Sequence, residues 1–183
     1  MESLVPVEHE DRWVLGLRGL AVTRIGVDHR LSLTLGPDVE VVLETAAALS
    51  RGPMRGPGVE IVQLLPERQD VAGALALFGA QVLSAVAFKT GSLRLVFSNA
   101  LHVNCRADAD FEAWQVAGPG DWRFVSLPGG DLGVWRGPVQ TGRDHNADHD
   151  HFPMPSHSKS CDTASATKPQ VEGMIEFCRS SDS

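Results

Sequence analysis

The sequence predicts an α+β domain dominated by antiparallel sheet. Three observations carry this reading: apolar residues recur at every second position through most of the first 138 residues, short Gly/Pro/Asp signals punctuate these runs, and there is room among them for only one or two short helices. A period of two is what a strand with one buried face requires, because successive side chains leave the backbone on opposite sides.

The elements follow in order. Leu20 to Val27 reads as a strand closed by the turn Asp28-His29-Arg30. Leu31, Leu33 and Leu35 then alternate with Ser32 and Thr34. After Gly36-Pro37-Asp38 the pattern resumes, with Val39, Val41 and Leu43 on one face and Glu40, Val42 and Glu44 on the other. Residues 20–45 therefore form a three-stranded meander. A Gly/Pro loop over 51–58 and a short strand over 59–64 come next. Asp70 through Phe78 predicts a helix: Asp70 suits the N-cap, Gly79 suits the stop, and Val71, Ala74, Leu75 and Phe78 make one apolar face. A second meander runs through Val82 to Phe88, Leu93 to Phe97 and Leu101 to Val103. Its positions Leu93, Leu95, Phe97, Leu101 and Val103 match Leu31, Leu33, Leu35, Val39 and Val41 at an offset of 62 residues, as a pseudo-repeat or simply as two meanders with short turns. The closing β segment has three strands, Glu112 to Ala117, Trp122 to Leu127 and Leu132 to Trp135, separated by Gly118-Pro119-Gly120-Asp121 and Pro128-Gly129-Gly130-Asp131.

With 183 residues, 43% of them hydrophobic, the chain has material for one domain with a core and little for two. Composition breaks after Val139, since residues 140–183 hold only four of the large aliphatic and Phe set: Phe152, Val171, Ile175 and Phe177. Such a stretch buries too little apolar area to offset its ordering entropy. The expected organisation is a flexible N-terminus over 1–10, a single folded domain over 11–138 and a mostly disordered His/Ser/Asp-rich tail over 139–183.

The balance of 16 basic against 23 acidic residues gives a net charge of −7, which argues against nucleic acid as a partner. No apolar run approaches the roughly 20 residues of a membrane helix, and Glu2, Glu8, Glu10 and Asp11 stand where a signal peptide is basic and then apolar. A soluble, cytoplasmic protein with no membrane partner is the expectation. Three widely spaced cysteines, Cys105, Cys161 and Cys178, point to neither a disulfide framework nor a paired zinc site.

The run from Ser84 to Phe97, with its Ser-Ala-Val-Ala-Phe-Lys-Thr-Gly opening, is followed by Asp110 to Trp114, Gly118-Pro119-Gly120 and the stretch from Val125 to Trp135. Together with Val27-Asp28-His29-Arg30-Leu31, these residues resemble a family of small uncharacterised bacterial proteins, a domain of unknown function, over about residues 12–135. The resemblance implies no catalytic residues to carry over. The tail has no counterpart in it and reads as a lineage-specific extension or a translated frameshift.

Residue chemistry excludes more than it assigns. Lys89, Lys159 and Lys168 are the only lysines, and none follows a phosphate-cradling glycine loop; the run Gly52 to Gly58 is broken by two prolines that lack N–H donors. His102 and Cys105 are the one nearby nucleophile pair in the folded part, but their odd spacing sets them on opposite strand faces. Ser126 lacks the glycine-flanked elbow of a hydrolase. Asp108, Asp110 and Glu112 form a compact acidic group that reads as solvated loop charge rather than a cation site. In the tail, His145, His149, His151 and His157 are the candidate metal ligands, although Pro153 and Pro155 leave them without a scaffold to close a tetrahedral site. Val171, Met174, Ile175 and Cys178 fall at helical spacing, too short a run to hold a helix alone.

These features favour a non-enzymatic protein-binding module, acting by occupying a partner surface as immunity and antitoxin proteins do, with no cofactor. Trp114, Trp122 and Trp135, beside Glu112, are the candidate partner-binding residues, and a basic protein is the partner they suit. The alternative is a small-molecule or metal-binding domain with hydrolytic activity, for which a deep cleft gathering His102, Asp28 or Asp108 would speak.

Overall fold

The computed structural model describes residues 4–53 and 58–137. The tail expectation, its four histidines and the C-terminal apolar positions lie outside the described residues, as does the middle of the Gly/Pro loop. Among the described residues there are thirteen strands: β1 (Val7–Glu8), β2 (Arg12–Val14), β3 (Val22–Val27), β4 (Leu31–Leu35), β5 (Val39–Leu43), β6 (Ala47–Arg51), β7 (Ile61–Leu64), β8 (Val82–Phe88), β9 (Leu93–Phe97), β10 (Leu101–Cys105), β11 (Trp114–Gly118), β12 (Trp122–Ser126) and β13 (Leu132–Trp135). They pair antiparallel in two sheets, one of seven strands ordered β1-β2-β8-β9-β10-β6-β7 and one of six ordered β13-β12-β11-β5-β4-β3. The fold is thus mainly antiparallel β.

The period-two pattern explains the core. Leu31, Leu33 and Leu35 in one sheet and Leu93, Leu95 and Phe97 in the other are all buried, while Thr34 and Arg94 lie on the outer faces. Both inner faces feed one apolar cluster, to which Trp13, Trp114 and Phe124 add aromatic bulk. Burial of this kind contributes about 1.5–3 kcal/mol per large side chain.

Strand exchange links the sheets. β5 ends at Leu43, whose partner is Trp114 at the start of β11; β10 ends at Cys105, whose partner is Ala47 at the start of β6. Each three-stranded unit thereby receives the strands that follow the other. The positions Leu43 and Cys105 keep the 62-residue offset of the apolar pattern, whereas the crossings differ, residues 44–46 in the first and 106–113 in the second. The acidic group Asp108, Asp110 and Glu112 sits in the longer crossing.

Two expectations need correction, and strand β6 has no counterpart among the predicted elements. The Asp70–Phe78 helix is instead a 3-10 helix over Ala72–Leu77 with Val71 at its cap, and among the described residues no α-helix occurs. A 3-10 helix repeats every three residues, so Val71, Ala74 and Leu77 are buried on one side, and Leu75 and Phe78, placed inside by an α-helical count, are exposed. Strand β6 has no β-branched residue and no sequence signal; pairing to β10 and β7 makes it a strand. Finally, β11 begins at Trp114, so Glu112 belongs to the crossing loop and shares no strand face with Trp114. No helix among the described residues is long and apolar enough to cross a membrane.

Candidate functional site

The three tryptophans part company. Trp114 is fully buried, and its indole Nε1 donates to the carbonyl of Gly91 at 2.8 Å, so it belongs to the core and offers nothing to a partner. Trp122 lies at the core's edge, its ring lying on Gly118, where a Cβ would fall within the indole. It meets Phe124 edge-on at 5.8 Å, and Phe124 meets Trp13 at 5.3 Å. Arg136 closes this aromatic group with its guanidinium 4.7 Å from the Trp13 ring centre and 3.5 Å from Glu8, which also pairs with Lys89.

Of the three tryptophans, Trp135 alone is a surface ring, 51% exposed. The β12–β13 register sets it opposite Arg123 on the outer face. Gly133 clears the space for it: a Cβ there would stand 2.7 Å from two indole carbons. Glu112, Asp121 and Arg123 line the same open concavity as Trp135 and the edge of Trp122, with a volume of about 500 Å³. The fold therefore brings Glu112, Trp122 and Trp135 to one place and leaves Trp114 behind.

The candidate catalytic groups do not converge. Asp28 is exposed in the β3–β4 hairpin, where its carboxylate accepts the Arg30 N–H at 2.7 Å, and that bond holds its pKa below the usual value. The Asp108 carboxylate accepts the N–H groups of Asp110 and Phe111 at 2.9 and 3.1 Å, the geometry of an Asx turn. Among the described residues no three His, Cys, Asp or Glu side chains gather closely enough to hold a metal ion. Cys105 is buried, and that burial pushes its thiol up to about 11, which leaves it protonated and unreactive at neutral pH. His102 stands on the opposite face of the same strand, half-buried, in a groove of about 670 Å³ on the outside of the seven-stranded sheet. Ser126 is fully buried.

Sequence reasoning missed the other residues of that groove. The signal was present: His102 and Asn104 alternate with the apolar Leu101, Val103 and Cys105, which places both polar side chains on the outer strand face, and Arg106 follows directly after the strand.

What fold and site define is a two-sheet antiparallel β domain with surface concavities. The chain belongs to a family of unknown function (DUF6188), whose model matches residues 13–136, every strand from β3 to β13 included. Neither the curated proteins nor the solved structures contain a match to it.

Proposed function

We propose that the domain is a non-enzymatic protein-binding module whose contact surface is the outer face of the six-stranded sheet around Trp135 and Glu112. The observation that carries the reading is the half-exposed Trp135 ring, laid over Gly133 and flanked by charged side chains. An ordered exposed indole buries a large area on contact at little entropic cost and keeps an N–H to donate, which is why Trp is enriched among binding hot spots. Glu112 and Asp121 outnumber Arg123 in the concavity, and the chain carries a charge of −7, so a basic partner is attracted at long range and anchored by the ring. Such a module acts inside the cell by covering a partner's surface, as immunity and antitoxin proteins do. For a hydrolytic role, Cys105 and Ser126 are buried and out of a substrate's reach.

The test is affinity capture from native lysate with the wild-type chain and its Trp135→Ala variant as parallel baits. A protein held by the first and weakened about tenfold or more on the second, at unchanged melting temperature, supports the reading. Equal recovery on both baits overturns it.

A further inference from the structure

We propose that the outer groove of the seven-stranded sheet is a binding site for a small organic oxyanion, a carboxylate or phosphate held between Arg94 and Arg106. The groove's volume, about 670 Å³, falls in the range of small-molecule sites. Register assembles it. Arg94 on β9 faces Asn104 on β10, His102 faces Val96 one step along, and Arg106, the first residue after β10, lines the same groove. Ser84 and Ser92 add two hydroxyls, and among the described residues no carboxylate lines the groove.

Two features of the lining bear on a ligand. First, neither arginine forms an ion pair among the described residues, a condition they share with Arg18, Arg24, Arg51 and Arg123, and what sets them apart is that both line one concavity. Guanidinium is weakly hydrated and presents a planar fork of donors matched to carboxylate and phosphate oxygens, so a pair facing one concavity is suited to an oxyanion. The Arg94 guanidinium already lies 5.6 Å from the Phe88 ring centre, which limits the freedom it would lose on binding. Second, the Asn104 side-chain Nδ2 is buried without a hydrogen-bond acceptor. Asn104 lines the groove, and a turn of its side chain is what would bring this unsatisfied donor to a bound oxygen. The apolar flank formed by Phe88 and Val96 suits the carbon skeleton of a small metabolite. A polyanion is disfavoured because it would extend beyond the groove into the field of a chain carrying −7, whereas a single oxyanion senses mainly charges within a Debye length of about 8–10 Å.

The experiment is a titration of the full chain, isotope-labelled, with inorganic phosphate and separately with succinate, read by NMR at the Asn104 side-chain amide and the Arg94 Nε–H, with sodium chloride as the ionic-strength control. Saturable shifts at both groups with either probe, absent with chloride and weakened about tenfold or more in Arg94→Gln and in Arg106→Gln, support the site, since each lost charged hydrogen bond is worth at least that factor. Saturation by phosphate alone or succinate alone identifies which oxyanion class it takes. Linear shifts with both probes, or saturable shifts that survive both substitutions, overturn the proposal. Both arginines are exposed, so the variants are expected to fold, and their thermal unfolding is recorded alongside. Trp135→Ala leaves this titration unchanged, which separates the groove from the protein-contact surface.

Discussion

The indole of Trp114 donates to the carbonyl of Gly91 at 2.8 Å, and this bond ties β11 of the six-stranded sheet to the β8–β9 turn of the seven-stranded one. Gly91 has φ +78° and sits against the next turn: a Cβ there would lie 2.7 Å from the Gly130 carbonyl oxygen and 2.9 Å from the Ala107 Cβ. A tryptophan that looks like a surface anchor in the sequence is therefore the bolt between the sheets.

Two substitutions test this joint. Trp114→Phe keeps most of the ring but strands the Gly91 carbonyl, and is expected to destabilise by about 1–3 kcal/mol. Gly91→Ala combines left-handed backbone strain with a clash against backbone, which ought to cost about 2–5 kcal/mol. Chemical denaturation of both variants checks the ranking; a Gly91→Ala protein as stable as wild type refutes the close approach.

The face assignment of the strands predicts a contrast. Leu33→Asp and Leu95→Asp place a charge at fully buried positions and are expected to unfold the domain, while Thr34→Asp and Arg94→Gln on the outer faces change stability by about 0.5 kcal/mol or less. Circular dichroism melts of the four variants decide it, and similar melting points across all four would contradict the register.

Cys105 gives the domain a stability change at alkaline pH. Its thiol has an ordinary value of 9.0 and is pushed up to about 11 by burial, the Thr45 hydroxyl contact working weakly the other way. A raised native value means the folded chain keeps a proton that the unfolded chain has lost, so the contribution is whole below pH 9 and disappears as pH rises to 11. Over that window wild type should lose about 2 kcal/mol more than Cys105→Ala. Denaturant midpoints at pH 8 and pH 11 measure the difference, and parallel behaviour of the two proteins would show the thiol to be accessible.

At the acid side, His102 has its pKa lowered, first by burial and second by the Arg94 charge. Its neutral form is the one the fold accommodates. Stability attributable to it is intact above 6.5 and declines as pH falls through the lowered native value, because the unfolded chain takes the proton first. Arg94→Ala removes the smaller cause and should raise the His102 midpoint part of the way towards 6.5 in an NMR titration of its ring protons. An unmoved midpoint would mean that the guanidinium does not face the imidazole.

Much of this architecture is legible in the chain because a strand with one buried face writes itself as alternation: Leu31, Leu33 and Leu35 could hardly be anything else. What alternation does not carry is partnership. Ala47 to Arg51 becomes a strand only because Leu101 to Cys105 pairs with it from more than fifty residues away. The 3-10 helix escaped for a related reason: Val71, Ala74, Leu75 and Phe78 satisfy an α-helical count, and only the observed burial of Leu77 reveals a period of three. At the candidate site, Trp135 was distinguishable from Trp114 only through the sheet register and the bare Gly133, both of which are tertiary facts.

The exchange of strands between the units makes the last prediction. If β11 completes the sheet begun by β3 to β5, and β6 completes the sheet begun by β8 to β10, then neither half of the chain holds a finished sheet. The short 3-10 helix Pro66–Arg68, whose Glu67 and Arg68 are exposed, is a place to divide the chain at the cost of the single Leu65–Asp70 bridge and without cutting a strand pair. The piece 1–68 then carries β5 with one bare edge and β6 without β10; the piece 69–183 carries β10 and β11 with the complementary edges bare. Each would expose half of a single apolar cluster, too little burial to offset its own ordering entropy. Each alone is expected to lack cooperative unfolding, and an equimolar mixture should recover the sheet spectrum and a single thermal transition at a concentration-dependent temperature, as association requires. Cooperative folding of either piece by itself would show that its strands close a core without the exchange, and that the Leu43–Trp114 and Cys105–Ala47 pairings are dispensable.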